Sequence, residues 1–454
     1  MTTPGRTLYD VIGVDPAADE HAIHRAYRVR AMLSHPDRGG DEAAFVELVE
    51  AYRVLSDPEQ RRAYDTEEGL AGRPWALPEP PRRAARTRPP ADPGAHRWVR
   101  AVAGGRRPTA VSEERARLGS LAAAEVVWEA DDPTRLAPVA GGDAVVVVPD
   151  RGIALLDAPT GAVRWRTSTG TAPIAPPVLT DELVVVWVAP SSLLLLGRDD
   201  GEVRSRHDVD HLSRAGLAAR DDLVVCARVG GRLVALPTSG GRARWHATAS
   251  TEPALPPLVV GAAGDRSRTV VVIGQDQEVV AVDARRGRSR WRRTLDAPAT
   301  QAVAVDDGTV WIAGLDGQVV GVHAAEGDVV GELDVGGPAA GLLVDDRAVY
   351  VMAADGDGAA LHGRPRRDLA GGWQLPLPEL GPPPTAAASW LTLVEPEGRL
   401  TTIEGHHGVV VHECRLPDLP APHPIAALPG LPGGDAVVCT DRRGVVRAVR
   451  PRWR

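Results

Sequence analysis

The chain of 454 residues contains no lysine and no asparagine, and only one phenylalanine. Its fixed positive charge rests on arginine alone, a bias that points to a GC-rich bacterial genome rather than to a physical adaptation. Cysteine is scarce as well. Cys226, Cys414 and Cys439 lie far apart in sequence and form no CxxC pair, so the expectation is buried, reduced thiols in a cytoplasmic setting. No charged-then-apolar stretch opens the chain, and no export signal is expected. The most apolar stretch, Leu183 to Leu196, is broken by Pro190-Ser191-Ser192 and reads as two strands, not a membrane span. A net charge of −8 gives no global field for nucleic acid. No glycine-rich phosphate loop follows a strand, which leaves nucleotide binding unsupported. The length allows two or three domains.

Near the N-terminus, Ser34 to Gly39 reads SHPDRG, with the triplet His35-Pro36-Asp37 inside it. A helix is predicted to lead in from about Asp19, a capping residue, to Leu33. Ile23, Ala26, Tyr27 and Leu33 are spaced to line one side, while Arg25 and Arg28 fall on another. Pro36 forbids continuation and biases His35 away from helical geometry. A second helix is predicted from about Asp41 to Leu55, with Phe45, Leu48, Val49 and Tyr52 on one face. A short third piece, Pro58 to Tyr64, begins with proline at its first position, capped by Ser56 or Asp57. Two antiparallel helices would leave the triplet exposed at the tip of their hairpin.

Residues 5–66 resemble a J domain, the module of DnaJ-type co-chaperones. The resemblance rests on Tyr9, Gly13, Val14, Tyr27-Arg28 and the His-Pro-Asp loop. Phe45, Glu50-Ala51-Tyr52, Leu55-Ser56-Asp57-Pro58 and Arg62-Ala63-Tyr64-Asp65 follow in the same order and spacing. It implies that the loop and the basic face of the helix before it dock on a DnaK-type chaperone and stimulate its ATP hydrolysis. By the same resemblance Asp37 pairs with an arginine of that ATPase, and His35 and Pro36 shape the loop. Arg25, Tyr27, Arg28 and Arg38 would belong to the docking surface. Steering by complementary charge suits such a contact. One residue departs from the family: Arg30 stands where a core leucine is usual. The Gly/Phe-rich segment and the cysteine-rich zinc module of larger DnaJ proteins do not appear, as in the simplest class of J protein.

From Glu67 to about Val111 proline is frequent, and nine arginines face four acids. The segment 67–121 reads as a solvated, semi-extended linker, with a short helix possible from Ser112 to Ala124. From residue 122 onward a two-part unit recurs about every forty residues. Its first part is a Val-rich run introduced by Asp or Gly, such as Asp143-AVVVV or Asp181-ELVVVWV. Its second part is a strand, a turn and a strand, clearest in the copies that end at Trp165, Trp245 and Trp291. Glycine follows Thr160, Gly240 and Arg286, where a tight hairpin needs positive φ. A tryptophan late in the outer strand can pack between neighbouring units, and its indole N–H needs an acceptor there. Such units must stack in a ring to bury both faces. The last unit lacks a closing strand, and AEVVWEA around Trp128 can supply it, which closes the ring. That count gives eight blades. Seven stays open, because the copy from Gly356 to Trp373 is degenerate.

The repeats over residues 122–454 resemble the pyrroloquinoline-quinone-type propeller, also called quinoprotein alcohol dehydrogenase-like. The expected architecture is therefore a small helical J domain at 1–66, a linker at 67–121 and an all-β propeller. The quinoprotein enzymes clasp their quinone with vicinal cysteines and bind calcium partly through asparagine. With neither present, no cofactor is expected and the propeller is read as non-enzymatic. His406, His407, His412 and Cys414 invite a metal reading. The first two are neighbours in a turn and His412 takes the slot of a blade tryptophan, so no metal is expected either. The favoured reading is a cytoplasmic co-chaperone whose propeller selects an unknown client or partner, with no nucleic acid or membrane. The alternative is a scaffold or sensor propeller with a vestigial J domain.

Overall fold

The computed structural model describes residues 7–14, 23, 26, 27, 30, 31, 42–55, 58–67 and, with short breaks, 121–450. The chain divides between Arg100 and Ala101 into two units. In the first, Leu8–Ile12 forms a short helix closed at its start by a capping box. The Asp10 N–H donates to the Thr7 hydroxyl at 3.2 Å, and the Thr7 N–H donates to the Asp10 carboxylate at 2.8 Å. The sequence reading passed over this Thr-x-x-Asp signal. Gly13 ends the helix at φ 82, a conformation glycine takes without strain. Helices follow at Glu42–Leu55 and Pro58–Glu67, and residues 23, 26, 27, 30 and 31 are helical.

The core of this unit gathers Tyr9, Val11, Ile12, Ile23, Ala26, Leu48, Ala51 and Leu55. Leu48, Ala51 and Leu55 recur at helical spacing and share the buried face. Val49, expected on that face, is 38% exposed. It stands about 100° around the helix from Leu48, which turns it to solvent while Ala51 takes the inner position. The expected caps Asp19, Ser56 and Asp57, and the side chains of Leu33 and Phe45, lie outside the described residues.

The second unit is a β-propeller of eight four-stranded sheets. Blades 1 to 7 cover residues 139–168, 178–208, 212–248, 258–294, 299–334, 339–377 and 385–415. Blade 8 joins residues 426–450 to Glu125–Glu129, which pairs antiparallel with Val446–Arg450 and sets Trp128 opposite Ala448. The ring thus closes through the strand the sequence nominated, and the count is eight rather than seven. Arg447 fastens the closure, reaching Glu129 at 2.6 Å, Asp441 at 2.9 Å and Asp418 at 3.1 Å.

Each Val-rich run is the second strand of its blade, and the strand-turn-strand part is the third and fourth. The sequence reading missed the first strand. It is often very short, as in Val178–Leu179, and first strands of neighbouring blades touch one another around the axis. Second strands are buried on both sides, so their runs are continuous rather than alternating. Leu183, Val185 and Trp187 enter the seam to blade 3, while Val184, Val186 and Val188 enter the seam to blade 1. Among the described residues, no helix is long and apolar enough to cross a membrane.

Five seams share one device. The outer-strand indole N–H donates to a carbonyl in the next blade's third-to-fourth-strand turn. Trp128 meets Ala158 at 2.7 Å, Trp165 meets Arg198 at 2.6 Å, and Trp245 meets Ala284 at 2.8 Å. Trp291 meets Ala324 at 2.8 Å and Trp373 meets Gly405 at 2.9 Å. The ring lies flat on that turn's glycine, so a Cβ on Gly287 would stand 2.7 Å from the Trp245 ring. Blades 2, 5 and 7 carry Ser205, Gly331 and His412 in the outer-strand slot. Each of them places a tryptophan on its second strand instead: Trp187, Trp311 and Trp390. Trp311 lies against Gly321 and Gly331, filling from inside the room the outer strand leaves. Every blade therefore contributes one tryptophan.

The aspartates that introduce the Val-rich runs also bridge blades. Asp143 of blade 1 accepts from Arg198 of blade 2 at 2.9 Å. Asp222 of blade 3 accepts from Arg268 of blade 4, and Asp307 of blade 5 from Arg366 of blade 6. The Arg164 and Arg198 guanidinium groups hold the Asp143 carboxyl below the usual carboxylate range.

Candidate functional site

His35, Pro36, Asp37 and Arg38 lie outside the described residues, as do Arg25 and Arg28. What is described is the frame on which that loop is mounted. The Tyr9 ring is fully buried, and its hydroxyl donates to Asp65 at 2.7 Å and accepts from Arg61 at 2.8 Å. Burial, helped by the Asp65 carboxylate, pushes this phenol up to about 12. The Tyr64 hydroxyl accepts from the Leu8 N–H at 2.9 Å. The last helix is thereby tied to the first turn through residues that carry the family resemblance.

Tyr27, expected on the docking surface, stacks its ring on Tyr52 with centroids 3.9 Å apart. That stack clamps the helix before the loop to the helix after it. Arg30, the departure from the family pattern, is half-buried and donates to the Val11 carbonyl at 3.0 Å. Its head satisfies a carbonyl at the end of the first helix. Arg30 thus replaces a packing contact by a hydrogen bond, and the domain keeps its form.

In the propeller, the residues that invited a metal reading are spread over one hairpin of blade 7. The Glu404 carboxylate accepts from the His406 and His407 backbone N–H groups at 3.0 and 2.8 Å. The same carboxylate lies 2.9 Å from His407 Nδ1. Glu404 closes the turn, and Cys414 points into the core of the seam to blade 8. Among the described residues, no group of three or more His, Cys, Asp or Glu is arranged to hold a metal ion.

A quinone is the group this fold implies. Its clasp needs adjacent cysteines, but Cys226 lies in the core between blades 2 and 3 and Cys414 and Cys439 in the core between blades 7 and 8. Burial pushes the Cys226 and Cys439 thiols up to about 12 and Cys414 to about 11, so they stay protonated and unreactive. The residues present do not fit the cofactor.

Residues 7–65 match the family model described as DnaJ domain. Over 64 residues the chain is 52% identical to the chaperone protein DnaJ of Salinibacter ruber, a stretch that is 13% of this chain and 16% of that protein. The chain spans about one sixth of the length of the curated relatives it matches. The propeller is similar to the crystal structure of BamB from Moraxella catarrhalis, with TM-score 0.55 and 17% identity over 72% of this chain and 98% of that one. It is also similar to quinohemoprotein alcohol dehydrogenase from Comamonas testosteroni, with TM-score 0.53 and 12% identity over 72% of this chain and 76% of that one. At such identities these two structures speak for the fold alone. Residues 113–273 and 275–369, more than half of the chain, match the family model described as outer membrane protein assembly factor BamB. The chain therefore belongs to that family of PQQ-like repeat propellers, and it carries a DnaJ domain at its N-terminal end.

Proposed function

We propose that this protein is a co-chaperone. Its J domain, residues 1–66, recruits a DnaK-type chaperone and stimulates ATP hydrolysis by it. A linker, residues 67–121, joins that domain to the propeller, residues 122–454, which is the platform for a client or partner. The protein works in the cytoplasm and catalyses no reaction of its own. The observation that carries this reading is the frame of the first unit. Tyr9, Arg61, Tyr64 and Asp65 lock the last helix to the first turn, and Tyr27 and Tyr52 clamp the two helices that flank the triplet. A vestigial domain has no reason to keep both the frame and an intact His35-Pro36-Asp37. His35, Pro36, Asp37 and Arg38 would meet the ATPase, with Arg25 and Arg28 adding positive charge beside them.

The test is a single-turnover ATPase assay with a DnaK-type chaperone. The wild-type chain accelerates hydrolysis. His35→Gln and Asp37→Asn each reduce that acceleration at least about tenfold, the scale for losing one partner of a desolvated contact. A wild-type chain that gives no acceleration would turn the reading to the scaffold alternative. Pull-down of cross-linked partners by the full chain, compared with and without the J domain, identifies what the propeller holds.

A further inference from the structure

Blade 4 carries a basic run that sets it apart. From Arg285 to Arg293 the sequence is RRGRSRWRR, six arginines and no acid. Arg285, Arg286 and Arg288 occupy the turn between the third and fourth strands, and the others lie on the outer strand Ser289–Thr294. Arg290 and Arg292 are neutralised within the blade, by Asp283 and Glu278, each at 3.0 Å. Arg293 donates to the Gly327 carbonyl of blade 5 at 3.2 Å. Arg285, Arg286 and Arg288 are exposed, and although the Arg285 and Arg286 backbone N–H groups donate to the Asp283 carboxylate at 2.9 Å, none of the three guanidinium groups has a carboxylate partner among the described residues. Exposed Arg266 adjoins them from the turn between the first two strands, where its carbonyl accepts from Arg290 at 2.6 Å. The corresponding turns of blades 1, 2, 3, 5 and 7 read Pro159-Thr160-Gly161, Asp199-Asp200-Gly201, Ser239-Gly240-Gly241, Ala325-Glu326-Gly327 and His406-His407-Gly408, and that of blade 6 begins Arg366-Arg367-Asp368, with Arg366 paired to Asp307.

Among the described residues, Ser289–Thr294 ends its sheet and pairs only with Glu278–Asp283. Its other side is open to an added strand. Arginine along such an edge can simply discourage aggregation. That purpose does not account for Arg266, Arg285, Arg286 and Arg288, which sit in turns and guard no edge. We infer that this end of blade 4 binds an extended acidic polypeptide segment. The segment's backbone pairs with Ser289–Thr294 and its carboxylates meet the four turn arginines. Nucleic acid fits less well. Trp245 and Trp291 lie on the glycines of their seams and offer no free ring face for a base. This inference rests on the reading of the propeller as a partner platform and specifies the chemistry of the partner.

The probe is a fluorescein-labelled peptide of about ten alternating glutamates and valines, titrated with the full chain. Anisotropy is read at about 50 mM and about 500 mM salt, across which exposed charge pairs are screened. Wild type binds at low salt. The triple variant Arg285→Glu, Arg286→Glu, Arg288→Glu binds at least about tenfold more weakly. A control triple, Arg232→Glu, Arg367→Glu, Arg442→Glu, binds as wild type does. Equal binding by the first triple variant and wild type, or no binding by wild type, overturns the inference. So does tighter binding of an oligouridylate of equal charge that the first triple variant loses. The ATPase assay on the same proteins separates the two readings. Loss of the peptide alone leaves acceleration intact. Absent acceleration in a wild type that still binds peptide counts against the co-chaperone reading only.

Discussion

His362 shows how much one buried side chain can contribute to pH dependence. It lies on the third strand of blade 6, 4% exposed, with Arg364 at 3.5 Å from its Nδ1. Burial first, and the nearby guanidinium second, lower its pKa from 6.5 to about 4, while Asp355 pulls weakly the other way. Between those values the unfolded chain binds a proton that the folded chain refuses. Stability from this site is therefore complete above about pH 6.5 and falls as the pH drops toward 4. Urea unfolding at pH 7 and pH 5 measures it. Wild type loses about 2 kcal/mol more over that interval than His362→Gln does. At this scale the sequence was readable where family residues recur. Tyr9, Tyr27, Tyr52 and Tyr64 each make a contact that holds the helices together. Arg30 looked like a fault in the packing because its partner, a backbone carbonyl, leaves no mark in a residue pattern.

At the scale of the element, the tryptophan-on-glycine seam decides which substitutions matter. Gly170 and Gly287 both have positive φ, at 74 and 68, but nothing lies within 4 Å of a Cβ on Gly170. Gly170→Ala therefore carries only the backbone cost, about 1 kcal/mol. Gly287→Ala adds collision with the Trp245 ring and loosens its bond to Ala284, for about 2–4 kcal/mol in all. Urea midpoints of the two variants, read by tryptophan fluorescence, give the difference. The same seam explains what the sequence revealed and what it hid. Copies ending at Trp165, Trp245 and Trp291 were plain because the tryptophan keeps its place in the repeat. Copies containing Ser205, Gly331 and His412 looked weak. In all three the tryptophan had moved two strands inward, and for Trp187 and Trp311 the change conserves the occupant of the seam but not its position in sequence. Five of the eight first strands went unseen because two or three residues, as in Val178–Leu179 and Val139–Gly141, are too few to show a period.

At the scale of the whole molecule, the eight-blade count follows from closure. Trp128 and the missing last strand were both legible, so the ring could be counted before it was seen. The Pro/Arg-rich stretch gave no such signal, since spacing and composition leave its partners open. Closure also sets a sharp limit on truncation. A chain beginning at residue 121 keeps Glu125–Glu129 and unfolds like the full-length propeller. A chain beginning at residue 132 loses that strand, the Trp128 seam and the Arg447–Glu129 pair, and bares the edge of Val446–Arg450. Its melting temperature falls by about 10 °C or more, and it associates through the bared edge, as calorimetry and light scattering would record.

The closing pair has a further meaning during synthesis. Glu129 and Arg447 are 318 residues apart. At about 5–20 residues per second, a ribosome needs about 15–65 s to deliver the second after the first. For that interval the emerging ring has two raw edges and the growing chain cannot seal itself. The helical domain, made first and built on local contacts, can fold in far less time. On the reading proposed above, each nascent copy would thus carry its own summons for a DnaK-type chaperone while it is most in need of one.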